Sequence, residues 1–209
     1  MGKEDRLIMV VRKDDLFQED FFEGFKSHKD IDYESRILKN YGFMTAKFAE
    51  NDPTYKQPIR YCMIVNPESK RIFAYQRSKK DENYSEKRLQ GKFSWGVGGH
   101  VEKSDITTSN PIQESMLREL NEEVEINGSI NPKTLGYIYH DFGVNAVHFG
   151  ILYLIETDSV LIKPKDPEID NGELRRINDL EFVCNNPEYK VEDWSKTALR
   201  PLKEYLDGL

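Results

Sequence analysis

The chain has little cysteine, no long apolar run and no excess of positive charge. Its two cysteines, Cys62 and Cys184, lack CxxC spacing and lie in apolar or strand-like contexts, so the sequence predicts two buried, reduced thiols. No apolar run approaches the length of a membrane span. The N-terminal stretch MGKEDRLIMVV lacks the apolar core of a signal peptide, which predicts a cytoplasmic protein without a membrane partner.

Charge and nucleophile patterns exclude two further classes of function. A formal net charge of −7 with 32% charged residues is typical of an ordinary acidic protein, so no nucleic-acid partner is expected. The sequence contains no serine elbow and no cysteine-centred arrangement that would support covalent catalysis. At 209 residues, the chain is long enough for one domain with a substantial core plus an extension.

Residues 98–126, GGHVEKSDITTSNPIQESMLRELNEEVEI, combine a glycine pair, an acidic loop and a helix rich in carboxylates. Asn110 and Pro111 are a typical N-cap and first-turn pair, and Gln113 is a capping-box partner, so we predict a helix that starts there. One side of this helix is predicted to be an apolar stripe formed by Ile112, Met116, Leu117, Leu120 and Val124.

Three glutamates lie on another face of this predicted helix. Glu119 is one turn from both Glu122 and Glu123, and like charges that close repel each other. A Glu-rich run on a helix is usually just a solvated face. The preceding Gly98 and Gly99 favour a different interpretation, because glycines permit close backbone approach directly before the acidic loop. A hard divalent cation with oxygen ligands would relieve the repulsion.

These residues resemble the signature of the Nudix hydrolases, which reads Gly-x5-Glu-x7-Arg-Glu-apolar-x-Glu-Glu-x-Gly-apolar. The second half of that signature is matched by Arg118, Glu119, Leu120, Glu122, Glu123 and Ile126. In the first half, the signature has a glutamate after a glycine and five further residues. Counted from Gly99, that position is occupied by Asp105. Residues 106–110 then resemble an insertion before the helix, and Glu125 replaces the closing glycine. These departures concern loop shape and substrate fit rather than the metal-binding glutamates.

The resemblance implies an α/β fold, a Nudix-like α/β/α sandwich around a mixed β-sheet. We assign residues 59–209 to this domain and residues 1–58 to an N-terminal β/α extension, which could cover a sheet edge, shape the substrate pocket or form a homodimer interface. The pattern predicts strands at residues 7–12, 59–65, 71–76, 93–97 and 147–155, and helices at residues 15–25, 34–41 and 194–205.

The resemblance also implies metal-assisted hydrolysis of a diphosphate linkage in a small-molecule substrate. The implied ligands of Mg²⁺ or Mn²⁺ are Glu119, Glu122, Glu123 and the Gly99 carbonyl, and Arg118 orients the glutamates through a salt bridge. The general base is a glutamate of the same helix or one from a later loop, for which Glu168 and Glu173 are the candidates.

Basic and aromatic residues beside this segment are predicted to contact the substrate. The main candidates are Arg77, Lys92, Trp95 and His100. Arginine pairs with phosphate through two parallel hydrogen bonds, which makes Arg77 the strongest of them. For Trp95 a core position is an equally good interpretation, and for His100 a loop position facing water. Further candidates in the adjoining stretch are Lys79, Lys80, Tyr84, Lys87, Arg88 and Phe93.

Two alternative functions stay open on the sequence. An isopentenyl diphosphate isomerase shares this fold and has an expanded loop before its helix. Its catalytic cysteine has no counterpart in the matching stretch FSWGVGGH, which argues against this alternative. The other alternative is a nucleotide-binding sensor without catalysis, which the intact Glu119, Glu122 and Glu123 disfavour.

Overall fold

The structure is a computed structural model that describes residues 3–79 and 87–209. Its strands are β1 (Leu7–Arg12), β2 (Gly24–Ser27), β3 (Gly42–Thr45), β4 (Tyr55–Asn66), β5 (Arg71–Arg77), β6 (Phe93–Ser94), β7 (Val124–Ile126), β8 (Asn131–Tyr139), β9 (His148–Glu156), β10 (Ile162–Pro164) and β11 (Ile169–Arg176). Its helices are α1 (Lys13–Phe17), α2 (Tyr33–Asn40), α3 (Ala46–Ala49), α4 (Pro111–Glu123), α5 (Ile177–Asn185) and α6 (Asp193–Asp207). Among the described residues, no helix is long and apolar enough to cross a membrane.

The hydrogen-bonded strand order is β11–β5–β4–β9–β8–β2, with β1 on β4, β3 on β1 and β6 on β5. A separate two-stranded ribbon joins β7 to β10. The fold is the predicted Nudix-like arrangement, a mixed sheet flanked by helices. By its contacts the chain divides into two compact units, of which the first contains Met1–Tyr61, Gly98–Glu119 and Thr134–Leu152. The second contains Cys62–Val97, Leu120–Lys133 and Tyr153–Leu209.

The first unit places N-terminal residues beside the sheet. Strand β1 pairs with β3 and with β4, and its Ile8 and Val10 pack against Ala49. Strand β2 pairs with β8 at the end of the strand order. Strands of the N-terminal extension therefore take part in the sheet of the first unit.

The predicted helix at residues 15–25 is wrong over most of its length. Helix α1 ends at Phe17, and Gln18 then adopts a positive φ of 50°. Residues Gly24–Ser27 form β2 instead, antiparallel to β8. A Cβ on Gly136 of β8 would lie 2.4 Å from the Lys26 carbonyl oxygen, so a glycine there allows the two strands to meet. Tertiary strand pairing overrides the helical spacing of the aromatic residues in this segment.

The hairpin that the sequence predicts at residues 59–76 is formed by β4 and β5, and its turn belongs to the second unit. The Asn66 side chain accepts hydrogen bonds from the backbone N–H and the hydroxyl of Ser69, which closes the turn between β4 and β5. The predicted strand at residues 93–97 is shorter, because only Phe93 and Ser94 form β6. Of the two predicted buried thiols, Cys62 is buried but Cys184 is only half-buried.

Helix α4 begins where the sequence predicts. The Asn110 side chain accepts the Gln113 N–H at 3.1 Å, which satisfies a backbone donor of the first turn. Ile112, Met116 and Leu120 of the predicted stripe are buried, but Leu117 is 37% exposed and does not belong to it. The helix passes directly into β7, whose Glu125 lies opposite Lys163 of β10. The position that is a closing glycine in the family signature is therefore a strand residue here.

Candidate active site

Arg118 binds two carboxylates in the first unit. Its Nε and Nη2 atoms donate to the two oxygens of Asp105 at 2.7 and 3.0 Å, and its Nη1 donates to Glu119 Oε1 at 2.9 Å. Burial raises the pKa of Asp105, but hydrogen bonds from Arg118 and from the Glu102 N–H outweigh it and hold the pKa below its ordinary value. The predicted salt bridge of Arg118 is therefore present, and Asp105 occupies the position predicted for the family's glutamate.

The glycine pair packs tightly against neighbouring groups of the first unit. Gly98 has a φ of 143°, and a Cβ there would lie 2.0 Å from the Arg60 carbonyl oxygen. A Cβ on Gly99 would lie 3.0 Å from Glu119 Oε1. Only glycines fit both positions without a shift of the surrounding atoms. The structure thus brings Gly99 and Glu119, two of the predicted metal ligands, into direct contact.

Arg60 is a site residue that the sequence analysis missed. It is fully buried, and its Nη2 donates to the carbonyl oxygens of Gly99 and His100 at 2.6 and 2.7 Å. The same atom lies 3.5 Å from Glu119 Oε1. The sequence did contain a signal for Arg60, because a charged residue inside an otherwise apolar strand is unusual. Arg60 fixes the direction of the Gly99 carbonyl and supplies positive charge beside Glu119.

The three predicted metal-binding glutamates of α4 lie within about one helical turn, but they are not among the described side chains whose ligand atoms lie within 4.8 Å of one another. Glu119 has a partly buried side chain, Glu122 is exposed and Glu123 is buried. Glu122 and Glu123 follow Glu119 by one helical turn, which places their side chains on neighbouring positions of the helix surface. Carboxylates with a glycine carbonyl are the ligands that Mg²⁺ and Mn²⁺ prefer. The three carboxylates are of the type that such an ion prefers, whereas the Gly99 carbonyl already accepts hydrogen bonds from the N–H and from Nη2 of Arg60 at 3.2 and 2.6 Å.

The loop before β11 caps the end of α4 in the second unit. The backbone N–H groups of Lys165 and Asp166 donate to the Glu123 carbonyl oxygen at 2.8 and 3.2 Å, and Lys165 Nζ donates to the Asn121 carbonyl. Glu168 follows two residues later, and its carbonyl accepts the Ser78 N–H at 2.8 Å. The structure therefore ties the segment that carries Glu168 to the helix that carries Glu122 and Glu123.

Glu173 lies farther along β11, opposite Ala74 of β5. Its exposed carboxylate forms an ion pair with Arg175 Nη2 at 2.8 Å. Of the two predicted bases, Glu168 is the one whose segment the structure attaches to α4.

Arg77 occupies the end of β5, opposite Ile169 of β11. Its Nε donates to Glu192 Oε1 at 2.9 Å, and the other oxygen of Glu192 accepts the Ser94 hydroxyl at 2.9 Å. Glu192 is 6% exposed, so Arg77 neutralises a buried carboxylate. The backbone N–H of Arg77 donates to the carbonyl of half-buried Lys92, so these two predicted phosphate contacts are neighbours.

Replacement of Arg77 with alanine is expected to lower the free energy of unfolding by about 2 kcal/mol, because it removes the charged donor of the buried Glu192 carboxylate and keeps the Ser94 hydroxyl. Urea denaturation measures this change. The double variant Arg77→Ala/Glu192→Gln serves as the control and should recover part of the loss. An Arg77→Ala protein as stable as the parent would show that Glu192 does not depend on Arg77.

The other two predicted substrate-binding residues, Trp95 and His100, contact other residues of the protein. Trp95 is 1% exposed, so its ring belongs to the core and does not stack on a substrate, in agreement with the second interpretation of that residue. His100 Nε2 lies 2.7 Å from Gln57 Oε1, and burial lowers the pKa of His100 to about 3. Lys80 and Tyr84 lie outside the described residues, as does the side chain of Lys87.

The chain is similar to proteins of known sequence and structure. No family model matches the chain. Protein YmaB from Bacillus subtilis (strain 168) is 31% identical over 208 residues, which cover 94% of this chain and 97% of YmaB. The crystal structure of Tm1382, a candidate Nudix hydrolase, has a TM-score of 0.76 and 26% identity, over 97% of this chain and 100% of that chain.

The fold is also shared with the Nudix domain of Shewanella oneidensis NrtR, which was crystallised with ADP ribose. That likeness has a TM-score of 0.54 and 10% identity, over 72% of this chain and 88% of that chain. The similarity to YmaB and Tm1382 extends over nearly the whole chain, including the N-terminal residues that the signature does not reach. The chain therefore belongs to the Nudix hydrolase superfamily.

Proposed function

We propose that the protein is a metal-dependent pyrophosphohydrolase, which cleaves a diphosphate linkage in a nucleoside-diphosphate-linked or related small molecule. The observation that carries this proposal is the connected set Asp105, Arg118, Glu119 and Gly99. Asp105 holds Arg118, Arg118 holds the Glu119 carboxylate, and that carboxylate lies against Gly99. Such a set fixes oxygen ligands before any substrate arrives, which is how a metal site gains precision.

Glu119, Glu122, Glu123 and the Gly99 carbonyl would hold the Mg²⁺ or Mn²⁺ ion. When bound, an ion of this kind neutralises diphosphate charge and makes water a stronger nucleophile at neutral pH. Arg118 keeps Glu119 in one orientation, and Arg60 keeps the Gly99 carbonyl in one direction. Glu168 is the proposed base that accepts a proton from water, since its loop is attached to the end of α4.

A cleft of the second unit supports a planar, phosphate-bearing substrate. Its cavity of about 520 Å³ is lined in part by Phe93, Tyr189, Lys79 and Lys190. The Phe93 and Tyr189 rings lie 5.5 Å apart in an edge-to-face arrangement, and the lysines supply positive charge. Gly91, also in the lining, donates its N–H to the Arg77 carbonyl at 3.0 Å. We therefore assign stacking to Phe93 in place of Trp95.

The direct test is phosphate release in an assay coupled to pyrophosphatase or phosphatase, with and without Mg²⁺. The substrates are nucleotide sugars, dinucleoside polyphosphates, nucleoside triphosphates and coenzymes. ADP ribose is included because the NrtR domain of similar fold was crystallised with it. We expect Mg²⁺-dependent turnover of at least one class. A panel without any Mg²⁺-dependent turnover would contradict the proposal.

The residues inserted before α4 are proposed to shape substrate preference. Ile106 and Thr107 are exposed, whereas Asp105 and Asn110 on either side keep their contacts to Arg118 and Gln113. The double variant Ile106→Ser/Thr107→Ala should change the ranking of substrates in kcat/KM and leave the Mg²⁺ Kd unchanged, because no glutamate of α4 is altered. The matched control is Ile130→Ser, another exposed isoleucine. An unchanged ranking would show that the insertion has no part in selectivity.

A further inference from the structure

Three side chains that the proposed hydrolysis does not use lie together in the first unit. They are Glu50 at the end of α3, His100 after the glycine pair and His148 at the start of β9. One ligand atom of each lies within 4.8 Å of those of the other two. The two imidazole rings are 5.6 Å apart at an interplanar angle of 62°. Three separate segments of the chain thus converge on one cluster.

Gln57 Oε1 lies 2.7 Å from His100 Nε2. In the tautomer that carries its proton on Nε2, the His100 ring donates to this amide oxygen. The lone pair is then on Nδ1. A neutral imidazole whose other nitrogen is held by an oxygen acceptor is the usual state of a metal-binding histidine.

Two buried nitrogens of this cluster are unsatisfied. His148 Nε2 lies 3.3 Å from Glu50 Oε1, yet it has no hydrogen-bond partner in the part of the chain that the structure describes. Gln57 is fully buried, and its Nε2 likewise has no partner among the described residues. Buried polar atoms in native proteins are nearly always paired, so each such atom requires an explanation. A bound cation that accepts the lone pair of His148 Nε2 would explain why that nitrogen has no hydrogen-bond partner.

We propose that Glu50, His100 and His148 bind one zinc-class transition-metal ion. Two imidazoles and one carboxylate are a common ligand set for Zn²⁺, whereas Mg²⁺ prefers oxygen ligands alone. Metal–ligand bonds of about 2.0–2.1 Å place tetrahedral ligand atoms about 3.3 Å apart. Glu50 Oε1 already lies at that distance from His148 Nε2, 3.3 Å, so His100 is the ligand that would have to approach the other two. Water completes the coordination.

The bound ion would have a structural role. It would join the end of α3, the residue that follows Gly99 and the first residue of β9. Arg60 and Arg6 both act on His100 with positive charge and oppose a cation there, and Glu50 acts with negative charge. The carboxylate of Glu50 is therefore the ligand whose charge the site needs most. Glu50→Gln keeps the size of the side chain and removes that charge.

Calorimetric titration with Zn²⁺ in excess Mg²⁺ tests this site without any activity measurement. Mg²⁺ saturates oxygen-ligand sites such as the glutamates of α4 and leaves imidazoles vacant. We expect one Zn²⁺ per chain. The Kd of Glu50→Gln should be at least about 100-fold higher than that of the parent, because loss of a residue that merely hydrogen-bonds to a metal ligand already changes metal affinity about 10- to 100-fold. The matched control is Glu19→Gln, an exposed glutamate of the same unit, which should bind like the parent.

Absorption of the Co²⁺-substituted parent protein gives a measurement that does not depend on variants. Four-coordinate Co²⁺ with imidazole ligands absorbs strongly in the visible, whereas six-coordinate Co²⁺ with oxygen ligands absorbs weakly. We expect the strong spectrum, displaced by Zn²⁺ and not by Mg²⁺. Equal Zn²⁺ binding by the parent and Glu50→Gln would overturn the proposal. So would the absence of Zn²⁺ binding, or a weak six-coordinate spectrum.

Discussion

Replacement of Glu122 with glutamine is expected to lower kcat on a diphosphate substrate by about 100-fold or more. A direct metal ligand should contribute at least as much to activity as residues that only hydrogen-bond to metal ligands. Glu122 lies on the exposed face of α4, and glutamine keeps its size and helix propensity. The free energy of unfolding in the absence of metal should therefore stay within about 0.5 kcal/mol of the parent's. Steady-state kinetics at saturating Mg²⁺ and urea denaturation with a chelator measure the two quantities.

The matched control for Glu122→Gln is Glu125→Gln. Glu125 is an exposed glutamate of β7, three residues beyond Glu122, and it lies 3.7 Å from Lys163 Nζ. Its replacement removes the same charge from the same region and should leave kcat nearly unchanged. Equal kcat values for Glu122→Gln and the parent would place the chemistry away from α4.

Replacement of Asp105 with alanine should lower the free energy of unfolding by about 3 kcal/mol, the lower end of the range for breaking a buried ion pair. Asp105 is 4% exposed and accepts two hydrogen bonds from Arg118. The loss stays at the lower end because Arg118 keeps Glu119 as a partner. The same change frees Arg118 to rotate, so kcat should fall as the orientation of Glu119 is lost. Chemical denaturation and kinetics on the same preparation measure both effects.

Asp105→Glu is the control for this prediction, since the family signature has glutamate at the equivalent place. The longer carboxylate can still bind Arg118, so this variant should keep most of the stability that Asp105→Ala loses. If Asp105→Ala and Asp105→Glu were both as stable as the parent, the ion pair with Arg118 would not contribute to the fold.

The sequence predicts the start of α4 because local contacts define it. The Asn110 cap, Pro111 in the first turn and the buried stripe all lie within a few residues of the positions that they determine. The predicted salt bridge of Arg118 to a helix glutamate is also present, with Glu119, and Arg118 makes a further contact with Asp105 that was not predicted, although residues 106–110 separate Asp105 from the helix. A surface loop adds length without moving its ends, which explains why the insertion leaves this contact intact.

Elements determined by distant contacts were less predictable. Residues 18–25 have aromatic residues at helical spacing, but they lead into β2, whose partner β8 begins more than a hundred residues later. Only that pairing, with Gly136 opposite Lys26 and Ser27, decides between helix and strand. Local pattern carries no information about such a partner.

Buried charges were the hardest part of the candidate site to predict. Arg60 lies inside an apolar strand, where a sequence pattern favours hydrophobic residues, and its partners are carbonyl oxygens of residues 99 and 100. Arg77 was predicted as a phosphate contact from its position, but its partner Glu192 lies at the far end of the sequence. A single sequence reveals a charge but not the group that neutralises it.

The most direct test of the central claim is ³¹P NMR of the reaction in water enriched in ¹⁸O, with the best substrate of the panel. Hydrolysis at phosphorus places one ¹⁸O atom in a phosphate-bearing product, which shifts its ³¹P resonance. We predict this shift in the parent protein with Mg²⁺, with slow or no product formation after chelation and in Glu122→Gln. Product formed without ¹⁸O on phosphorus, or formed equally fast by Glu122→Gln, would contradict metal-assisted hydrolysis at α4.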